Sequence, residues 1–341
     1  MHSESSPLGE FDLIQRFFKT GAKAMRSDDD QTIVLGIGDD CAILKPVVGE
    51  EIAITSDMLV EGKHFFSNAN PALLGRKALA VNLSDLAAMG AKPLGFTLAI
   101  ALPRPDPIWL EAFSKGLFAI ANEFSCPLIG GDTTAGPLTI SITAFGSIPT
   151  GKAIRRSGAK PGDDIWVSGT TGDARLTLAA LRHEIAISED ALNHIEHRMH
   201  DPMPRVELGL RLREIASAAL DVSDGLLGDL QHILNESQVN AEIFIERIPK
   251  SSILQKQTEN IQNQFAACGG DDYEICFTAP AAQQHAIEAI SRDLNLPITR
   301  IGQITEMNNS QARARLLKAN GSLIGDTEAA ALLKSFDHFA S

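Results

Sequence analysis

Aspartates are the residues of this chain whose settings could do chemistry. They stand beside glycine or serine, next to or inside apolar runs: Asp39 and Asp40 in GIGDD, Asp57 after Ser56, Asp85 after Ser84, Asp132 after Gly130-Gly131, Asp221 and Asp224 in DVSDG, and Asp271 and Asp272 after Gly269-Gly270. Any one of them is satisfied as a turn residue or a helix cap. The set asks for more. If the apolar runs are strands of an α/β fold, their ends converge on one rim, where ligands bind. Carboxylates crowded there repel one another unless cations hold them. The donors are all oxygen and no CxxC pair or His/Cys cluster accompanies them, so the cation to expect is Mg²⁺ or Ca²⁺. Mg²⁺ held by a few carboxylates keeps water and phosphate oxygens as its other ligands.

Asp85 makes the sharpest demand. The stretch Asn70–Pro93 reads as a buried helix, with Asn70 as N-cap, Pro71 in the first turn, Gly90 at the C-terminal cap and Pro93 forbidding continuation. From Ala78 to Met89 nearly every residue is apolar, yet Asp85 sits inside, with Asn82 at the i, i+3 spacing that shares its face. A carboxylate left ionised and alone in a core is prohibitive, so Asp85 must be neutralised, paired or bound to metal. Asp57, Asp85 and Asp132 are expected to form one metal cluster.

The elements that must position these acids alternate along the chain. Phe11–Phe18 has helical spacing. Short strands are expected at 33–35, 41–44 and 52–55, a central strand over 94–102, and a helix from Asp106-Pro107 to about Phe124. Leu128-Ile129 leads into GGDTT, and Leu138, Ile140, Ile142 and Ala144 alternate as in a half-buried antiparallel strand. Around 151–164 the texture turns to Gly, Pro and basic residues, which places a domain boundary there: residues 1–150 and 151–341. Beyond it, strands are expected at 165–167, 220–222, 241–245, 273–278 and 298–304. Helices are expected at 173–183, 205–216, 226–235 and 281–294, with a turn at Asn320-Gly321. The class is α/β or α+β in two domains.

Composition narrows the functions. The chain has 341 residues, 44% hydrophobic and 21% charged, and a formal net charge of −13. That charge repels nucleic acid and anionic lipid, so neither is an expected partner. No basic-then-apolar leader pattern and no membrane-length apolar run stand out, so the expected compartment is the cytoplasm. Two near-motifs are set aside. Gly146 to Ala153 has P-loop spacing, but Ala153 replaces the Ser/Thr that would hold Mg²⁺. GIGDDC lacks the third glycine of a dinucleotide fingerprint. Gly130-Gly131 and Gly269-Gly270 allow close backbone approach to phosphate or simply a tight turn, and Arg155-Arg156 is either a phosphate clamp or a solvated loop.

GIGDDCAIL (36–44), TSDMLVEGKHF (55–65), ALAVNLSDLAAMGAKP (78–93), IGGDTT (129–134), RSGAKPGD (156–163), DVSDGLLGDL (221–230) and GGDDYEICF (269–277) together resemble the thiamine-monophosphate kinase family, from about Phe11 to Phe339 and in the family's order. The wider superfamily holds aminoimidazole ribonucleotide and selenophosphate synthetases. The resemblance implies an N-terminal α/β domain whose strands form a β-barrel across a homodimer, an α+β C-terminal domain, and ATP with several Mg²⁺ ions. It implies transfer of the γ-phosphoryl of ATP to thiamine monophosphate, and because the acceptor phosphate is ionised near neutral pH the expected transfer is one direct in-line step. Carried over by residue, the Mg²⁺ ligands are Asp40, Thr55, Ser56, Asp57, Asp85, Asp132, Asp221 and Asp224. Gly131, Asp132, Arg156 and Ser223 contact ATP, and His64, Asp271 and Phe336 approach the thiamine substrate. The family usually has glutamate at Asp271 and a hydroxyl-bearing aromatic at Phe336. The alternatives are an ATP-dependent synthetase of the same superfamily and a non-catalytic metal–nucleotide-binding protein.

Overall fold

The computed structural model describes residues 10–25, 32–307 and 312–333. The chain divides into two compact units, residues 1–86 with 91–151, and residues 87–90 with 152–341.

In the first unit a helical segment, Glu10–Met25, contains a π-helical stretch at Ile14–Lys19 and runs further than the expected Phe11–Phe18. Strands β1 (Ile33–Leu35) and β2 (Ile43–Leu44) form a two-stranded ribbon around the GIGDD loop. Then come β3 (Glu50–Val60), the helix Pro71–Ala88, β4 (Lys92–Leu102), the helix Pro107–Glu123, β5 (Leu128–Ala135) and β6 (Thr139–Pro149). The last four strands make one sheet in the order β3-β6-β4-β5. β4 and β5 are parallel; the other pairs are antiparallel.

This order corrects one expectation. Asp57 and Asp132 are not at strand ends. Each lies within a strand, and those strands are the two edges of the sheet. An edge strand keeps one side of its ladder unpaired, so Thr, Ser and Asp are tolerated along its length where a central strand needs apolar residues. The expectation of short strands at 52–55 and 128–129 stopped at polar residues that the ladder carries straight through. The central strand β4 and the alternation along β6 are as expected, the latter with Ile140, Ile142 and Ala144 buried. Gly146 lies inside β6, and no helix follows before residue 163, so the P-loop spacing has no P-loop structure.

The two long helices of this unit touch backbone to backbone. A Cβ on Gly75 would lie 2.2 Å from the Phe113 carbonyl oxygen, and one on Gly116 would lie 1.9 Å from that of Ala72. Asp106 caps the second helix, its Oδ1 accepting the N–H groups of Ile108 and Trp109 at 3.1 and 3.2 Å.

The second unit carries β7 (Asp163–Ser168), β8 (Ala218–Asp221), β9 (Asn240–Phe244), β10 (Ile275–Pro280), β11 (Ile298–Thr305) and β12 (Ala314–Leu317), in the order β12-β9-β11-β7-β10-β8. Only β12 and β9 are parallel among these pairs. The helix Leu226–Ser237 places Leu226, Leu227, Leu230, Ile233 and Leu234 in the core, with Ile165, Val167, Leu220 and Cys276 from the strands. Separate mixed sheets in the two units make the architecture α/β with an α+β second half.

Gly116→Ala is expected to destabilise the protein by about 1–3 kcal/mol, because the added methyl must push two helices apart. Urea unfolding checks this, with Gly325→Ala as the neutral control, since a Cβ there meets nothing within 4 Å.

Candidate functional site

The structure answers what Asp85 meets. Thr55 and Asp57 lie on the side of β3 that faces the helix Pro71–Ala88. The Thr55 hydroxyl donates to the Asp85 carboxylate, and the Asp57 backbone N–H donates to Asn82 Oδ1 at 3.2 Å. Asn82 is fully buried and its Nδ2 donates to the Ala78 carbonyl at 3.2 Å. An i, i+3 pair on a helix is thereby pinned to an i, i+2 pair on a strand. From Lys77 to Ala88, Asp85 alone keeps partial access to solvent. Burial, and Asp85 beside it, push the Asp57 carboxyl up to about 7. Two carboxyl groups and a hydroxyl, all oxygen, fit Mg²⁺, which needs one or two carboxylates and fills its other positions with water and phosphate.

Ser56 separates from its neighbours. Side chains alternate along a strand, and its Oγ lies on the opposite side of β3, donating to the Ile142 carbonyl at 3.2 Å and sitting 3.0 Å from Thr143 Oγ1. Asp40, Gly131 and Asp132 line a cavity of about 660 Å³ with Gly38, Asp39 and Gly130; its walls do not include Asp57 or Asp85. Gly131 has φ +149°, and a Cβ there would lie 1.9 Å from the Leu98 carbonyl oxygen, so only glycine lets β5 run this close to β4. Among the described residues no three of the Asp, Glu, His and Cys side chains converge tightly enough to hold an ion by themselves. Asp57 and Asp85 lie together at β3, and Asp132 lies with Asp40 on the cavity wall. His64 is half-buried, and its Nδ1 accepts the Val60 N–H at 3.0 Å, which leaves the proton of the neutral ring on Nε2.

In the second unit, DVSDG and GGDDYE are stitched into one platform. Val222 N–H donates to the Glu274 carbonyl, Tyr273 N–H to the Val222 carbonyl and Asp271 N–H to the Ser223 carbonyl, each at 2.8 Å. Asp271 and Tyr273 both take left-handed backbone angles, φ +65° and +50°, and the Tyr273 hydroxyl donates to the Asp271 carboxylate at 3.0 Å. Asp272 and Glu274 turn inward. Both Asp272 oxygens accept the Gly172 N–H, at 3.0 and 2.9 Å, and burial raises its carboxyl well above the usual range. Glu274 is fully buried. Burial opposes its charge, but Arg205 and Arg198, at 2.7 Å, and the Ser168 hydroxyl, at 2.6 Å, outweigh it and hold the carboxyl below its ordinary value. Arg156 is exposed. Its carbonyl accepts the Ser237 hydroxyl at 2.8 Å, which fixes the RSGA loop to the end of the helix Leu226–Ser237. Phe336 lies outside the described residues.

Glu274, Arg198 and Arg205 were not singled out in the sequence. Two arginines seven residues apart carry no local signal, and Glu274 reads as one more acid of an acidic motif. Asn82 did carry a signal: it is an amide inside an apolar helix, one turn from Asp85.

The Asp57 carboxyl gives a pH dependence with a definite sign. Its folded-state value lies above that of the unfolded chain, so the unfolded form ionises first. Its contribution to the stability of the metal-free protein is therefore present at acid pH and lost as pH rises from about 4 to about 7. Asp57→Asn is expected to gain on the parent by on the order of 2 kcal/mol between pH 5 and pH 8 in the absence of metal. Mg²⁺ is expected to stabilise the parent more at pH 8 than at pH 6 and to stabilise the variant less than the parent at pH 8. Thermal unfolding with and without Mg²⁺ reads all of these, and a flat difference across pH would count against the geometry.

Comparison with known proteins gives a consistent result. AIR synthase related protein, N-terminal domain, matches residues 38–148, and AIR synthase related protein, C-terminal domain, matches residues 160–315. Thiamine-monophosphate kinase of Salmonella typhimurium is 46% identical over 299 residues, covering 87% of this chain and 90% of that protein. The crystal structure of thiamine-monophosphate kinase from Stenotrophomonas maltophilia K279a is similar with a TM-score of 0.82 and 45% identity, covering 90% of this chain and 96% of that one. A structure described as AaThiL complexed with AMPPCP and TMP is similar with a TM-score of 0.73 and 28% identity, covering 97% of each chain. Both units are matched at once, and identity this high extends across most of the sequence. The chain belongs to the thiamine-monophosphate kinase family of AIR synthase related proteins.

Proposed function

We propose that this protein transfers the γ-phosphoryl group of ATP to thiamine monophosphate and releases thiamine diphosphate and ADP. The observation that carries the reading is the similarity, over 97% of each chain, to a protein solved with AMPPCP and TMP. The Thr55–Asp85–Asp57 arrangement supports it from this chain's own chemistry. The first domain, residues 1–150, supplies metal and ATP ligands and the dimer contact; residues 151–341 form the second.

Asp40, Thr55, Ser56, Asp57, Asp85 and Asp132 would hold Mg²⁺ on the first unit, and Asp221 and Asp224 would hold it on the second. Mg²⁺ held there would supply positive charge to offset the negative charge developing on the transferring group. Gly131 lets the polyphosphate approach the backbone, Ser223 offers a hydroxyl, and Arg156 offers a fork that fits two phosphate oxygens. His64, with its proton on Nε2, donates to the acceptor phosphate, while Asp271 and Phe336 meet the thiamine moiety. The acceptor oxygen is ionised near neutral pH and needs no strong base. Binding aligns attacking and leaving oxygens, and transfer is direct, with no phosphoenzyme. The protein works in the cytoplasm.

The dimer follows from one surface. β3 is an edge strand, and Ile54 and Met58 on its outward side are 64% and 56% exposed. A second copy covers them and extends the sheet toward a barrel. Met58→Glu is expected to convert a dimer to a monomer in sedimentation at micromolar concentration, and a parent protein that sediments as a monomer would remove the dimer from the reading.

A coupled assay with ATP, Mg²⁺ and thiamine monophosphate tests the activity. Turnover is expected with that acceptor, and its absence would favour a synthetase or a binding protein. Asp85→Asn is expected to lower kcat by at least about 100-fold while the folded state survives, since the amide still accepts from Thr55 but no longer balances a cation. Near-parent turnover would make Asp85 structural.

A further inference from the structure

Ser223, Asp224 and Gly225 form the turn between β8 and the helix Leu226–Ser237. A turn of this kind, between strand and helix, ordinarily aims successive backbone N–H groups outward and takes an anion there. Here those groups are occupied from within. One carboxylate oxygen of Asp229 accepts the Ser223 N–H at 3.0 Å, the Asp224 N–H at 3.0 Å and the Gly225 N–H at 3.1 Å. Asp229 stands at the start of the same helix. Its own N–H donates to the Gly225 carbonyl at 2.8 Å, and the residue is buried.

Other backbone groups around the turn are bonded too. The Val222 N–H and carbonyl are bonded to Glu274 and Tyr273, and the Ser223 carbonyl accepts from Asp271. Gly225 has φ +126°, and a Cβ there would lie 2.8 Å from the Cys268 backbone; one on Gly270 would lie 2.6 Å from the Ser223 carbonyl oxygen. What the turn keeps for a ligand is the half-buried side chains of Ser223 and Asp224. Burial pushes the Asp229 carboxyl up to about 7, while the three N–H groups favour its ionised form.

We infer that Asp229 is a positioning residue: its carboxyl oxygen fills the backbone nest of the Ser223–Gly225 turn from within, so the turn meets nucleotide through the Ser223 hydroxyl and through cation held at Asp221 and Asp224, never through its N–H groups. This rests on the reading that the turn contacts Mg²⁺-nucleotide. Asp229 itself touches neither nucleotide nor metal. Its effect is to fix where the Ser223 and Asp224 side chains point.

The test uses the full chain and measures binding by calorimetry, with Mg²⁺ and a non-hydrolysable ATP analogue as the probe. Asp229→Asn keeps the shape but replaces the carboxyl oxygen that accepts three N–H groups with an amide, whose oxygen is a weaker acceptor and whose NH₂ cannot accept at all. Affinity for the probe is expected to fall about tenfold, with the KM for thiamine monophosphate within about twofold. Asp224→Asn is the companion. If it weakens the probe and Asp229→Asn does not, the inference is overturned. If neither does, the reading of the turn as a nucleotide contact fails first. A merely structural residue would lower stability and shift both substrates together, which also overturns the inference. A third arm vacates the nest. Asp229→Ser is expected to acquire stabilisation by inorganic phosphate, without metal, that the parent lacks; an equal response in both proteins counts against the occupied nest. Should the variants fail to fold, hydrogen exchange on the unaltered metal-free protein decides. The amides of Ser223–Gly225 are expected to be protected, and exchange at open-loop rates would refute the inference.

Discussion

A desolvated carboxyl beside a second carboxyl is the constraint on which the first unit depends. Asp57 and Asp85 face each other across a strand and a helix, and the nearness of Asp85 adds to burial in raising the Asp57 carboxyl. The protein supplies a hydroxyl from Thr55 and an amide from Asn82, which set geometry but carry no positive charge. Such a pair is costly when both groups are ionised and becomes favourable when a divalent cation enters. The helix that bears Asp85 is otherwise buried from Lys77 to Ala88. The arrangement is therefore rigid on both sides, and the strain is electrostatic, not conformational.

The second unit solves the same problem differently for its innermost acids. Glu274 has two arginines and a serine, Asp272 has a backbone N–H and a raised affinity for its proton, and Asp229 has three N–H groups. Each is satisfied by protein, and each fixes backbone near an acid that is less buried. Gly169 illustrates the cost: it has φ +58°, and a Cβ there would stand 2.1 Å from a Glu274 oxygen, so the hub dictates glycine at a remote sequence position.

Much of the first unit was legible because its helices announce themselves. Asn70 caps as expected, its Oδ1 accepting the Ala72 N–H at 2.9 Å; the helix ends before Gly90, at φ +68°. Asp106-Pro107 begins the next helix. The site was legible in residue type but not in grouping. Alternation on a strand could have separated Ser56 from Thr55 and Asp57, yet only if 55–57 were known to lie within a strand, and polar edge strands do not carry the apolar signature that would say so. The partners of Glu274 were hidden for another reason. Ion pairs between residues about 70 apart follow from how elements pack, and nothing in local spacing encodes them.

These two ways of treating acids also explain why so acidic a chain can take an anionic substrate. An aspartate satisfied by backbone N–H groups removes an anion site, as Asp229 does at the Ser223–Gly225 turn. An aspartate beside another aspartate, as at β3, favours a cation, which is the role proposed for Asp57 and Asp85. In the proposed reading metal shares phosphate recognition with the direct donors Ser223, Arg156 and His64. Binding then becomes steeply dependent on divalent cation and on the ionisation of a few carboxyl groups, and weakly dependent on the net charge of the surface. A basic surface would attract polyphosphate indiscriminately. A carboxylate site that admits it only with its cation couples binding to the electrophilic help that transfer requires.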